Sequence, residues 1–137
     1  MAHGILLDEI EKRNLSWEVD SSGTSAFHSG EAPDRRAIET ARINGIDISN
    51  QKSRQLTTQD LSTYDLIITM DTNNYNNALK LTQSKQEKSK VKMLLNYSFP
   101  NENRAVPDPY YSGGFDYVYD MIRKAVQDMI GSLTQDN

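Results

Sequence analysis

The sequence predicts an α/β fold, a parallel β-sheet flanked by helices. Three observations carry it. Helical and strand-like segments alternate along the 137 residues in the order α-β-α-β-α-β-α. Residues 65–70 (DLIITM) are apolar without alternation, the pattern of a strand buried on both faces, as in a parallel sheet. Asp71 follows that strand at once and can cap a helix. The length fits one domain, 1–137, with no internal repeat or boundary.

Residues 2–14 (AHGILLDEIEKRN) read as a helix with Leu6, Leu7 and Ile10 on one face and charges between them. Residues 17–21 read as a short strand that runs into a loop of small residues. Asp34 ends that loop as the N-cap of a helix over 35–44 (RRAIETARIN), and Gly45 closes it as a C′ glycine. Segment 46–64 is polar and punctuated, with one helical turn over 58–61. After the strand 65–70 comes a helix over 72–82. Residues 83–90 (QSKQEKSK) read as a charged, solvated linker and 91–97 as another strand. The last element is a long amphipathic helix over 115–133. Its apolar stripe is Phe115, Val118, Tyr119, Ile122, Val126, Met129 and Ile130. Folds of this type usually open with a strand and bind ligands at strand-to-helix turns. This chain opens with a helix.

Composition narrows the function. The net charge of -4 argues against a nucleic-acid-binding surface. No apolar run reaches membrane-spanning length, so no membrane partner is expected. The first residues carry no basic leader, and a soluble cytoplasmic domain is expected. The chain has no cysteine, which excludes disulfides, thiolate metal sites and a cysteine nucleophile within it. No phosphate-binding glycine loop, metal-binding histidine pair or Ser-His-Asp pattern is visible, and no metal or cofactor is expected. His3 and His28 lack ligand spacing, and each is expected to be solvated.

The stretch AVPDPYYSGG (105–114) is the best candidate for chemistry. Pro107 and Pro109 restrict the backbone on both sides of Asp108. A general acid must sit within hydrogen-bond reach of a leaving oxygen, and stiffness serves that need. Tyr110 and Tyr111 offer an apolar wall on which a planar ring can stack. The plain alternative is a surface turn, since Pro and Asp are turn formers. Phe27 lies in the loop after the first visible strand, a position that lines ligand crevices in α/β sheets and equally suits a core lid. Asp34-Arg35-Arg36 suits either an anion site at a helix N-terminus or a capped helix with exposed arginines.

Taken in order, these motifs resemble the low molecular weight protein tyrosine phosphatases over nearly the whole chain. VDSSGTSAFHSGEAPDRRAIETARINGIDIS is similar to that family's region after its second strand. KSRQLTTQDLSTYDLIITMD resembles the third strand and its approach, and DPYY resembles the general-acid loop. The family works without a cofactor, through a phosphocysteine intermediate. A thiolate in a C-x5-R loop attacks phosphorus, and the arginine and backbone N–H groups hold the phosphoryl oxygens. The resemblance implies that Asp108 is the acid/base, that Tyr110 and Tyr111 edge the substrate cleft, and that Phe27 forms its other wall. It implies a phosphotyrosine protein or a small aryl phosphate as substrate of a full-length form.

The departure from the family is at the front. MAHGILLDEIEKRN resembles the family's first helix, just past the nucleophile loop, so the chain is expected to lack the first strand, the cysteine and the arginine. It is predicted inactive as it stands. In the family the first strand lies between the strands matching 17–21 and 65–70. Its loss leaves a gap of roughly 10 Å, too wide for backbone hydrogen bonds. The sheet is therefore expected to rearrange, to convert residues 3–8 (HGILLD) into a strand, or to be completed by a partner such as a segment-exchanging homodimer. Two functions follow: a tyrosine phosphatase whose sequence here begins at an internal methionine, or a non-catalytic phosphatase-like module that binds a partner through Phe27, Tyr110 and Tyr111.

Overall fold

The fold is that of a computed structural model, which describes residues 1–23, 33–52, 54–107 and 114–134. Its longest element is α6 (Gly114–Thr134), whose buried residues Val118, Tyr119, Ile122, Ala125, Val126, Met129 and Ile130 recur at helical spacing. The stripe matches the one read from sequence, with Ala125 added and Phe115 half-buried at its start. It packs against α1 (Ala2–Lys12), α2 (Arg35–Ile43) and a 3₁₀ turn (Leu94–Tyr97). Ile5, Ala41, Ile48, Leu94 and Leu95 complete this core, each at most 1% exposed.

The sheet is parallel and has two strands among the described residues. β1 (Ile67–Thr69) pairs with β2 (Val91–Met93) in the register Ile67–Val91, Ile68–Lys92 and Thr69–Met93. Ile68 and Met70 face the α6 core. Ile67 faces a second cluster with Leu56, Leu61, Ala78 and Val91, covered by α3 (Thr58–Thr63) and α4 (Thr72–Lys80). The arrangement is an α/β sandwich of three layers, as the sequence predicts.

The helix starts follow their caps. The carboxylate of Asp34 accepts from the Arg36 N–H at 2.8 Å, and that of Asp71 from the Asn74 N–H at 2.7 Å. Gly45 has φ +83° just past α2, where a side chain would be strained. The segment 83–90 is not a bare linker: Ser84 accepts from the Glu87 N–H and starts a short helix, α5 (Lys85–Lys90), with most of its residues exposed. The strand expected over 91–97 stops at Met93, and the 3₁₀ turn sends Leu94 and Leu95 under α6.

Helix α1 turns inward a face offset from the one expected: Leu6 packs on the core and Ile10 is buried, but Leu7 turns outward. Leu7 is 43% exposed, whereas Gly4, Ile5, Glu9 and Ile10 are buried. Charge explains the shift. Arg123 on α6 donates to Asp8 at 2.6 Å and lies 3.4 Å from Glu9, while Gln127 donates to Glu9 at 3.1 Å. These partners make a carboxylate tolerable at a buried position. Close approach of α1 to residues 46–48 needs Gly4: a Cβ there would lie 2.5 Å from Ile48 Cγ2 and 3.0 Å from Ile46 Cγ2.

Residues 17–21 do not form a strand. Among the described residues, the backbone of 16–22 makes no backbone–backbone hydrogen bond. Only at Gly23 does pairing begin: its N–H donates to Arg54 C=O and its C=O accepts from the Leu56 N–H, both at 2.7 Å. Between this segment and β1 lies a groove of about 1050 Å³. The chain does not close it. Residues 3–8 stay helical in α1, and no rearranged strand crosses the gap among the described residues. A segment already seated in a helix by Ile5 and the Asp8–Arg123 bond cannot also extend into the sheet.

The far wall of the groove is held by Arg54. Its guanidinium grips Asp60 with two bonds, at 2.9 and 3.2 Å, and Asp20 at 3.0 Å. Asp60 also closes the capping box of α3, accepting from the Thr57 N–H at 2.8 Å. The Arg54 bonds hold the Asp60 carboxyl below its ordinary pKa.

Two predictions follow from this packing. Gly4→Ala gains about 1 kcal/mol of helix propensity but forces Ile48 aside at a cost of about 1–3 kcal/mol, so urea denaturation shows a net loss. Gly131→Ala, with nothing within 4 Å of its Cβ, stabilises instead by up to about 1 kcal/mol. Asp60→Asn costs about 1–2 kcal/mol. Because the folded pKa is depressed, the contribution of Asp60 is complete above the ordinary aspartate value of about 4 and is lost as pH falls through it toward the folded value. Denaturation curves at pH 7 and pH 3 therefore differ less for the Asn variant than for the parent chain.

Candidate active site

The four residues singled out by sequence lie outside the described residues: Phe27 within 24–32, and Asp108, Tyr110 and Tyr111 within 108–113. So does His28. The stems of both loops are described, and they meet at one place. Ser22 and Gly23, which lead into 24–32, line the groove. Val106, just before the second loop, lines it too and donates its N–H to Met70 C=O at 2.8 Å, at the end of β1. The structure thus brings the approaches of the loop over 108–113 and of the loop over 24–32 to the same cleft. Beyond the second loop, Gly114 has φ +86°, a conformation suited to glycine at the entry to α6.

The start of α1 opens on the same groove. Met1, Ala2, His3 and Leu6 line it, and α1 has no side-chain cap on its first N–H groups. Burial lowers the pKa of the Met1 amine. His3 is half-buried rather than solvated. Its Nδ1 lies 2.8 Å from Ser21 Oγ, and burial outweighs the nearby Asp20 charge to lower its pKa. No carboxylate meets its other ring nitrogen among the described residues, so the pair lacks the orienting group of a catalytic triad.

The lining is poor in phosphate-binding groups. Four carboxylates, Glu18, Asp20, Asp60 and Asp65, face one guanidinium, that of Arg54. Arg54 is already engaged by two of them, which raises its own pKa further. The one guanidinium of the described lining is thus committed to carboxylates. Three-residue clusters suited to holding a metal ion are likewise absent among the described residues. No described helix is long and apolar enough to cross a membrane.

Sequence reasoning missed the Asp20–Arg54–Asp60 cluster. Its local half was legible, since Thr57 and Asp60 stand at capping-box spacing. The link from Arg54 to Asp20 spans 34 positions and leaves no local signal.

Comparison with known proteins identifies the family. The family model of low molecular weight phosphotyrosine protein phosphatases matches residues 1–137. The chain is 32% identical to the low molecular weight protein-tyrosine-phosphatase YfkJ of Bacillus subtilis, over 99% of this chain and 88% of that protein. It is 34% identical to the low molecular weight phosphotyrosine protein phosphatase of Schizosaccharomyces pombe, over 97% of this chain and 87% of that one. The crystal structure of YfkJ superposes with a TM-score of 0.88, covering 98% of this chain and 85% of YfkJ. A product-state mimic of the Entamoeba histolytica protein tyrosine phosphatase superposes at 0.89 with 27% identity, covering 99% and 87%. By sequence and by fold, this chain belongs to the low molecular weight phosphotyrosine protein phosphatase family.

Proposed function

We propose that residues 1–137 are a tyrosine phosphatase framework that keeps the family's general acid, Asp108, and its aromatic walls, Phe27, Tyr110 and Tyr111, but does not itself hydrolyse phosphate esters. The observation that carries this reading is the complete lack of cysteine. The relatives are named for phosphotyrosine, and the corresponding substrate here is a phosphotyrosine protein or a small aryl phosphate. Cleavage of such an ester by the family's route requires a thiolate to take the phosphoryl group and cations or N–H groups to hold its oxygens. Asp108 replaces neither. A proton donor lowers the barrier only for a bond that something else is breaking, and alone supplies roughly 10²–10⁴-fold.

A second reading gains from the same facts. A chain with an aromatic wall and no nucleophile is suited to binding an aromatic side chain without turning it over, as a non-catalytic module through Phe27, Tyr110 and Tyr111.

Aryl phosphate turnover tests the first reading. The 137-residue chain is expected to match the buffer background. A chain extended at its N-terminus by an apolar strand and a C-x5-R loop is expected to turn over substrate. In that extended chain Asp108→Asn lowers kcat by about 10²–10⁴-fold. Hydrolysis by the short chain at ordinary phosphatase rates overturns the proposal. An extended chain indifferent to Asp108→Asn removes the acid from its assigned role.

A further inference from the structure

The free positive charge of the chain is gathered at one place. Residues 80–92 hold five lysines, Lys80, Lys85, Lys88, Lys90 and Lys92, against one acid, Glu87. That stretch is net +4 in a chain of net -4, so the remaining residues carry -8. Pairing follows the same division. Of the other ten lysines and arginines, eight form ion pairs with carboxylates. None of the five in 80–92 does so among the described residues. Lys90 donates to Leu61 C=O at 2.8 Å, and Glu87 accepts from the Gln83 N–H at 2.8 Å. Lys80, Lys85, Lys88 and Lys92 are exposed. A patch of one sign with no carboxylate against it attracts an opposite charge.

Beside these lysines lies a pocket of about 370 Å³, between α4 and β2. Lys92 lines it. Thr72 and Asn76 line it from α4, and Lys80 stands one helical turn beyond Asn76 on the same face. Asn96 and Asn103 line it as a pair. The Asn103 N–H donates to Asn96 Oδ1 at 2.8 Å, and Asn96 Nδ2 donates to Asn103 Oδ1 at 3.0 Å. That leaves Asn103 Nδ2 and the Lys92 ammonium as donors with no acceptor among the described residues. No carboxylate lines the pocket. Free donors and no acid suit a ligand rich in acceptors, above all a carboxylate.

We propose that the lysine face of residues 80–92 and the adjoining pocket bind an acidic segment of a partner protein, about six residues of Asp and Glu in extended form. Size sets the length. Helix α5 rises about 9 Å and β2 about 10 Å, and six extended residues reach about 20 Å. Size also selects the class of partner. A bilayer or a nucleic-acid duplex extends past the patch and meets the acidic remainder of the chain, whereas a short segment stays within a Debye length or two of the lysines. The residues between the lysines of α5 are Gln86, Glu87 and Ser89, and the exposed large apolar residues lie elsewhere, at Leu7, Ile43, Tyr117 and Leu133. The patch therefore offers nothing to insert into lipid. The inference does not rest on the phosphatase reading, because no residue of this pocket lines the groove.

The test titrates the 137-residue chain with a blocked hexapeptide, Glu-Asp-Glu-Glu-Asp-Glu, and follows amide shifts by NMR. The control peptide carries Gln and Asn in place of Glu and Asp. Saturable shifts confined to residues 76–103 are expected, weakening as salt rises, with none from the control. Lys85→Gln, Lys88→Gln and Lys92→Gln together are expected to weaken binding by about fivefold or more at low salt. Lys12→Gln, Lys52→Gln and Lys124→Gln together remove the same charge elsewhere and are expected to change it by less than about twofold. Asn103→Asp, which removes the free donor and adds a repelling charge, weakens binding by about fivefold or more. Equal losses in the two triple variants overturn the proposal, as does unchanged binding by Asn103→Asp. Capture of the chain by vesicles of equimolar phosphatidylserine and phosphatidylcholine, or by oligothymidylate, with no response to the peptide assigns the patch to another partner and overturns it. So do shifts at 76–103 that follow chain concentration and not peptide.

Discussion

The seating of α6 on the 3₁₀ turn and α1 fixes the rest of the structure. Leu94 and Leu95 are 1% exposed beneath that helix, and they follow β2 without a break. Burying them there sets the position of β2, and the parallel ladder then sets β1. A two-stranded pairing is marginal by itself in water and needs a packed face to persist. Ile68 and Met70 on one side and Ile67 on the other supply such faces, so the short ladder is held by the helices more than it holds them. The ionic tie from Arg123 to Asp8 and Glu9 then orients α1 on α6 and brings the open N-terminal turn of α1 to the groove.

Much of this was legible from residues alone, where the cause is local. The caps at Asp34 and Asp71, the glycine at 45 and the stripe of α6 are written within a few residues of the features they produce. The failures have the opposite character. Of the face of α1 read from Leu6, Leu7 and Ile10, Leu7 turns outward, and the burial of Glu9 depends on Arg123 and Gln127, more than a hundred positions away. The segment 83–90 has the composition of a linker, and the cap of Ser84 on Glu87 makes it a helix regardless. Residues 17–21 have the composition of a strand but pair with no neighbour among the described residues, and a strand is defined by its neighbour. For the site, the sequence gives residue types and order, while the meeting of the two loop stems at one groove is a property of the sheet.

The same geometry links the site to the sheet. The stem of the loop over 108–113 is described as far as Pro107, and the Val106 N–H bond to Met70 C=O fastens it to the end of β1. The loop bearing Phe27 leaves from Gly23, which is fastened to Arg54 and Leu56 and thus to the opposite wall. Each stem belongs to a different side of the groove. Any spreading or narrowing of the groove therefore changes the separation of the two loop stems. On this geometry the spacing of the two loop stems follows the width of the groove between residues 16–23 and β1.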